Sequence, residues 1–195
     1  MLIPIKAFHA AKGRLSGWLP DSDRARLARW MAERVVTAAR ALPTFVACDD
    51  DEVANWAERQ GAHVLWGPGL GLNGAIDQGV DTLAGKGADH VIISHGDLPL
   101  ADDLAQVVRR GHVVLVPDRR RDGTNVMSRP CDVRLHAAYG AGSFRSHLAA
   151  ALSADLPVSI RIDPRLSIDI DTIDDCRDPL VAPLLRTVLG GAALL

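Results

Sequence analysis

The sequence predicts an α/β domain with a mainly parallel central sheet, on three observations. Short β-rich runs alternate with helical ones along nearly the whole chain. The run VIIS within residues 90–97 is continuously apolar, as strands buried on both faces are. No repeat, low-complexity block or linker divides the 195 residues, a length that suits one domain, 1–195.

LIPIK (2–6) reads as the first strand, rich in β-branched residues. In 21–42, Leu27, Trp30, Met31, Val35, Ala38 and Leu42 recur at helical spacing, with Asp21 or Ser22 able to cap the start. TFVACD (44–49) is a second strand, followed by a helix over 51–61 that ends at Gly61. HVLWG (63–67) is a third strand, and 72–85 a helix loosened by glycine. Residues 90–97 form a strand with a polar end, 100–111 a helix and 112–118 another strand. Gly142 and Ser143 open a helix over 142–152; VSIRID (158–163) is a late strand. Residues 171–190 read as helix interrupted near Pro179.

Composition excludes several classes of function. With 24% charged residues and a net charge of −2, no electrostatic footprint for nucleic acid or an anionic membrane exists. At 4% aromatic residues, a base-stacking platform is not expected. Cys48, Cys131 and Cys176 are odd in number, far apart and without a CxxC pair, so they read as reduced structural thiols. No apolar run near the start suits a secretory signal, and TVLGGAALL at the end is too short to span a bilayer. The expectation is a soluble cytoplasmic protein.

In parallel sheets ligands sit beyond the carboxyl ends of strands, which marks the loops to inspect. After the first strand, Lys6, Lys12 and Arg14 supply charge and donors suited to polyphosphate, or else form a solvated basic loop. The GxxxxGK[ST] and GxGxxG fingerprints are absent. In WGPGLGLNGAI, Gly67, Gly69 and Gly71 let backbone approach a ligand, and Asn73 caps the helix or reads a base or ribose. Asp97 ends an apolar strand, placed either for a cation or to cap the next helix.

In SIDIDT (167–172), alternation sends Asp169 and Asp171 to one side and Ile168 and Ile170 to the other. Two carboxylates so close repel unless a cation or donors neutralise them. With Asp97 they make a three-carboxylate site suited to Mg²⁺; alternatively Asp171 and Thr172 cap the last helix. DGTN (122–125) reads as a turn offering donors from Thr124 and Asn125, and Gly140, Gly142 and Ser143 precede a helix N-terminus. Together they suit a second, carboxylated or phosphorylated substrate, or are an ordinary turn and cap. The seven histidines form no metal-spaced set, although His95 and His147 are placed to line a cleft.

The ordered set IPIK…AKGRL, GLNGAI, GDLPL, VPD…DGTN, YGAGSF…H and IDIDT, spread over nearly the whole chain, resembles the 2-phospho-L-lactate guanylyltransferase family of coenzyme F-420 biosynthesis. Members of that family also use phosphoenolpyruvate or 3-phospho-D-glycerate. The resemblance implies a single Rossmann-like nucleotidyltransferase domain with a mainly parallel, mixed sheet. It implies that Lys6, Lys12 and Arg14 hold the GTP phosphates, with Lys12 and Arg14 catalytic, and that Gly71 and Asn73 help hold the nucleoside. Asp97, Asp169 and Asp171 would bind Mg²⁺, and Thr124, Gly140 and Ser143 the acid. A homodimer, and hand-over of an unstable product to the next enzyme of the pathway, are implied as well. Gly13 departs from the serine more usual between the lysine and arginine. The competing expectations are another nucleotidyltransferase, of molybdopterin or sugar-phosphate type, or a GTP-binding module without chemistry.

Overall fold

Leu2 and Ile3 are both fully buried, yet each belongs to a different hydrophobic cluster. Adjacent side chains of a strand point to opposite faces, so the first strand must be covered on both. In the computed structural model, which describes residues 1–190, this strand, β1 (Leu2–Pro4), lies inside a seven-stranded sheet. It is followed by α1 (Asp21–Ala38), β2 (Phe45–Cys48), α2 (Asp51–Arg59), β3 (His63–Trp66), α3 (Gly71–Gly85) and β4 (His90–Ser94). Then come β5 (Val113–Pro117), β6 (Thr124–Pro130), α4 (Ser143–Ser153), β7 (Val158–Ile160), α5 (Ile173–Cys176) and α6 (Ala182–Leu189). The final five residues of TVLGGAALL lie outside the described residues. Among those described, no helix is long and apolar enough to cross a membrane.

The sheet order is β3-β2-β1-β4-β6-β5-β7. β1 pairs in parallel with β2 and β4, β2 with β3, and β5 with β7; β6 is antiparallel to both β4 and β5. Six strands therefore run one way and β6 alone runs back. α1 and α2 cover one face, where Ala28, Ala32, Val35 and Trp56 meet Ile3 and Val46. α3 and α4 cover the other, where Ile76, Val80 and Phe144 meet Leu2, Ile93 and Met127. The glycine in α3 is explained by Gly79: a Cβ there would lie 2.8 Å from a methyl of Leu2. It lets the helix close on β1.

Four expectations need correction. Residues 124–130 are a fully buried strand, β6, and not the continuation of a surface turn. Residues 100–111 hold only a 3-10 turn, Leu104–Val107, because the Asp103 carboxylate accepts from Ala105 N at 3.1 Å and satisfies the backbone locally. α1 stops at Ala38 and starts after an extended Pro20; Asp21 makes no cap and instead pairs with Arg24 at 2.9 Å. SIDIDT joins no strand, although its alternation holds: Ile168 and Ile170 are buried and Asp169 and Asp171 only partly so.

Those isoleucines enter a third cluster with Leu15, Leu27, Met31, Val181 and Leu185, which fixes the segment against α1 and α6. Each buried isoleucine contributes roughly 1.5–3 kcal/mol. Thr172 and Asp175 form a capping box at α5. Asp175 Oδ2 accepts from Asp171 N (3.0 Å), Thr172 N (2.7 Å) and Thr172 Oγ1 (2.8 Å), and Oδ1 accepts from Arg119 at 2.5 Å. Burial alone would raise the Asp175 pKa, but these donors hold it below the ordinary carboxylate value. Asp175→Ala leaves four part-buried donors without that acceptor, and we expect it to lower the unfolding free energy by about 2–4 kcal/mol. Urea titration measures this, and a loss below about 0.5 kcal/mol would mean that Asp175 does not hold the segment.

Candidate active site

Parallel alignment of β1 to β4 gathers their following loops at one edge, around a cleft of about 910 Å³. Reversal of β6 brings its first residues to the same edge: Ser94 pairs with Val126, and His95 N donates to Asn125 O at 3.0 Å.

Lys12 stands at the centre. Its backbone is left-handed, φ 56° and ψ 37°, an unusual state for a residue with a Cβ. The 3-10 turn Gly13–Leu15 follows, with Leu15 fully buried as its anchor. The ammonium donates to Asp97 Oδ2 at 2.7 Å and to Asp171 Oδ1 at 3.1 Å, with the side chain 8% exposed. Arg14, far more exposed, donates to Asp171 Oδ2 at 2.8 Å. Burial pulls the Lys12 pKa down, but the two carboxylates outweigh it and the net shift is upward. Burial likewise pushes Asp97 up, and Lys12 with His95 reverses it, so Asp97 ends below its ordinary value. Lys6 also lines the cleft and is exposed.

Asp169 lies beside this cluster, with Oδ1 3.4 Å from Asn125 Nδ2, itself held by Leu166 O at 3.0 Å. Burial, then the charges of Asp97 and Asp171, raise its pKa to about 6. Among the described residues, no three carboxylate, imidazole or thiolate groups converge as a ready metal cage, and Lys12 bridges Asp97 and Asp171. The donor chemistry nevertheless fits a hard dication. Asp97 Oδ1 is buried without a hydrogen-bond partner, and Asp169 is a carboxylate whose charge its surroundings oppose.

Gly71 lines the cleft with φ +64°, a conformation that suits glycine. Asn73 does not cap α3. Its Oδ1 accepts from Tyr139 N at 2.8 Å and its Nδ2 donates to Tyr139 O at 3.1 Å, so both amide groups clamp the 139–143 loop. Thr124 and Ser143 are buried together: Thr124 N donates to Ser143 Oγ at 3.0 Å, and Ser143 N to Gly140 O at 3.1 Å. Tyr139 bridges to the cleft, its ring 5.0 Å from that of His95 and 4.6 Å from that of His147. The structure thus makes two groups: the Lys12, Arg14, Asp97, Asp169 and Asp171 cluster, and the Thr124, Gly140, Ser143 and His147 cluster. Tyr139 begins the YGAGSF motif but received no role from the sequence, where a lone aromatic carries no positional signal. Asp49, which also lines the cleft, was hidden inside a run of four acids, 49–52.

Residues 1–182 match the family model described as "Guanylyl transferase CofC like". A phosphoenolpyruvate guanylyltransferase of Sphaerobacter thermophilus is 36% identical over 188 residues, covering 91% of this chain and 90% of that protein. A 2-phospho-L-lactate guanylyltransferase of Methanothermobacter thermautotrophicus is 32% identical over 182 residues, covering 89% of this chain and 80% of that protein. Among solved structures, a Desulfovibrio desulfuricans G20 protein assigned to the nucleotide-diphospho-sugar transferases superposes with a TM-score of 0.76. It is 17% identical and covers 98% of this chain and 87% of that one, a likeness of fold.

His147 gives a pH signature for the second cluster. Its Nε2 accepts from Ala138 N at 3.0 Å, so Nδ1 carries the proton and donates to Thr124 Oγ1 at 3.0 Å. Protonation would break the first bond. Burial, with help from His95 and Arg129, depresses its pKa to about 4. An unfolded-chain histidine titrates near about 6.5, so protons bind the unfolded chain first. Stability from this group is therefore intact above about 6.5 and declines as pH falls toward about 4, by roughly 3 kcal/mol in all. We expect His147→Gln to lose that part of the pH slope in urea unfolding, and slopes equal to wild type would remove His147 as its source.

Proposed function

Because the chain belongs to the CofC-like guanylyl transferase family, we propose that it transfers GMP from GTP to the phosphate of a small phosphorylated acid. The acid is phosphoenolpyruvate, 2-phospho-L-lactate or 3-phospho-D-glycerate, and the setting is coenzyme F-420 biosynthesis in the cytoplasm. The observation that carries this reading is the meeting of Lys12, Arg14, Asp97 and Asp171 at one edge of the sheet, inside a family match that runs from residue 1 to 182. The names of the relatives support the two enol and lactyl acids as acceptors.

In the proposed reaction, a phosphate oxygen of the acid attacks the α-phosphorus of GTP. A P–O bond forms there, the bond to the β-phosphate oxygen breaks, and pyrophosphate leaves with its electron pair. The nucleophile is already anionic, so no strong base is required. The obstacle is the approach of two polyanions, and the chain meets it with cations. Lys12 is buried and kept charged, so its ammonium is a fixed donor for phosphate oxygens. Arg14 and Lys6, more exposed, reach toward the outer phosphates. Asp97, Asp169 and Asp171 would hold Mg²⁺, which when bound supplies further neutralisation of phosphate charge. Tyr139, held by Asn73, carries the loop whose Gly140 and Ser143, with Thr124, would bind the acid's carboxylate end.

A second reading, a GTP-binding module without chemistry, is opposed by the carboxylates, which mere phosphate binding would not need. The test is pyrophosphate release with GTP and Mg²⁺, offering each acid in turn. We expect release with one of the three, and a loss of roughly 100-fold or more in kcat for Asp171→Asn without loss of folding. GTP binding without pyrophosphate from any acid would reject the transfer reaction. Activity within about threefold of wild type in Asp171→Asn would remove that carboxylate from it.

A further inference from the structure

Four acids in succession, Asp49, Asp50, Asp51 and Glu52, follow β2, and Glu52 pairs with Arg29. Asp50 caps α2, its Oδ1 accepting from Val53 N at 3.0 Å, and Asp51 begins the helix, where a negative charge suits the dipole. Asp49 does neither. Its side chain is exposed, lines the cleft, and among the described residues makes no hydrogen bond or ion pair. The other carboxylates lining the cleft, Asp97 and Asp171, are engaged by Lys12. Among the described residues, Asp49 is thus the cleft-lining acid with both oxygens exposed and unengaged, whereas Asp97 keeps only its buried Oδ1 unpartnered.

Its position follows from the sheet. Asp97 lies beyond β4, Lys12 beyond β1 and Asp49 beyond β2, and these strands are neighbours in that order. Asp49 stands two inter-strand spacings from the Asp97 side, roughly 10 Å. That is the span of a nucleoside from its phosphate to the far edge of its base. The same cleft is lined by Pro4, at the end of the intervening β1, and by Gly67, Leu72 and Ala75, small or apolar groups on which a flat ring can lie.

We propose that Asp49 is the specificity-determining residue for the base, its carboxylate accepting from guanine N1–H and the 2-amino group. This rests on the guanylyl-transfer reading above and names the group that makes it selective. Guanine presents two adjacent donors on that edge, matching a two-oxygen acceptor. Adenine presents a lone pair at N1, which a carboxylate repels. The cations of the cleft cannot supply this selection, because they have no acceptor to offer.

The test reads nucleotide binding by isothermal titration in Mg²⁺ without any acid, so it does not depend on the acceptor or on turnover. GTP, inosine triphosphate, 2′-deoxy-GTP and ATP are compared on wild type, Asp49→Ala and Asp49→Asn. A hydrogen bond to a charged group lost from the 2-amino position corresponds to on the order of 10- to 100-fold. Wild type should bind GTP over inosine triphosphate by that factor, and Asp49→Ala should bring the two within about threefold while leaving the GTP to 2′-deoxy-GTP ratio unchanged. Asp49→Asn, whose amide offers a donor to adenine N1, should narrow the gap between GTP and ATP. Unchanged ratios in both variants overturn the proposal. So does a wild type that does not prefer GTP to inosine triphosphate, and so does collapse of the 2′-deoxy ratio instead, which would put Asp49 on the ribose. Failure of the transfer reading would appear separately, as intact GTP selectivity with no pyrophosphate from any acid.

Discussion

A buried ammonium held between two carboxylates is the constraint on which the rest of this site depends. Lys12 lies 85 residues from Asp97 and 159 from Asp171 in sequence, and it joins them at 2.7 and 3.1 Å. Dehydrating a lysine to this degree costs several kcal/mol, and leaving either partner alone would cost more. The arrangement survives because the scaffold fixes each partner independently. Asp97 follows a strand buried in the sheet, and Asp171 is held by flanking isoleucines and by the Asp175 cap. Lys12 is presented by a left-handed turn pinned by Leu15. Binding of this kind is weak as a source of stability and strong as a means of fixing geometry, which is what a site for charged reactants needs.

Much of this was legible in the sequence, for identifiable reasons. The alternation of strands and helices gave the parallel half of the sheet, and the rule on carboxyl ends then marked the Lys12, Asp97 and Gly71 loops. The SIDIDT alternation predicted correctly which side chains are buried, although the segment belongs to no strand. β6 was missed because its polar residues Thr124, Asn125 and Ser128 find their partners 23, 41 and 38 residues away in sequence. Ser128 meets His90, and Arg129 meets Leu135 O. A buried polar strand has no hydrophobic period to read. The sequence leaves Asn73 open between capping the helix and reading a base or ribose, and its actual partner is out of sight for a related reason: Tyr139 is 66 residues distant.

The reversed strand also explains how two clusters come to share one edge. A sheet with β6 parallel to its neighbours would send Thr124 to the opposite end, away from Lys12. As built, the backbone of Asn125 bonds to His95 while its side chain reaches Asp169 and Leu166 O. Tyr139, packed against both His95 and His147, joins the two clusters through contacts between rings.

The sequence separation within the ion cluster has a consequence for biosynthesis. During synthesis Lys12 is made before both of its carboxylate partners, and β1 can pair with β2 before either has appeared. Its second carboxylate arrives only after another 159 residues. Until then the cleft lacks both its full charge balance and the third hydrophobic cluster that carries Ile168 and Ile170. The full cluster is thus withheld until Asp171 has been made, and a nascent chain stalled before it would lack the Lys12–Asp171 pair and the packing of Ile168 and Ile170.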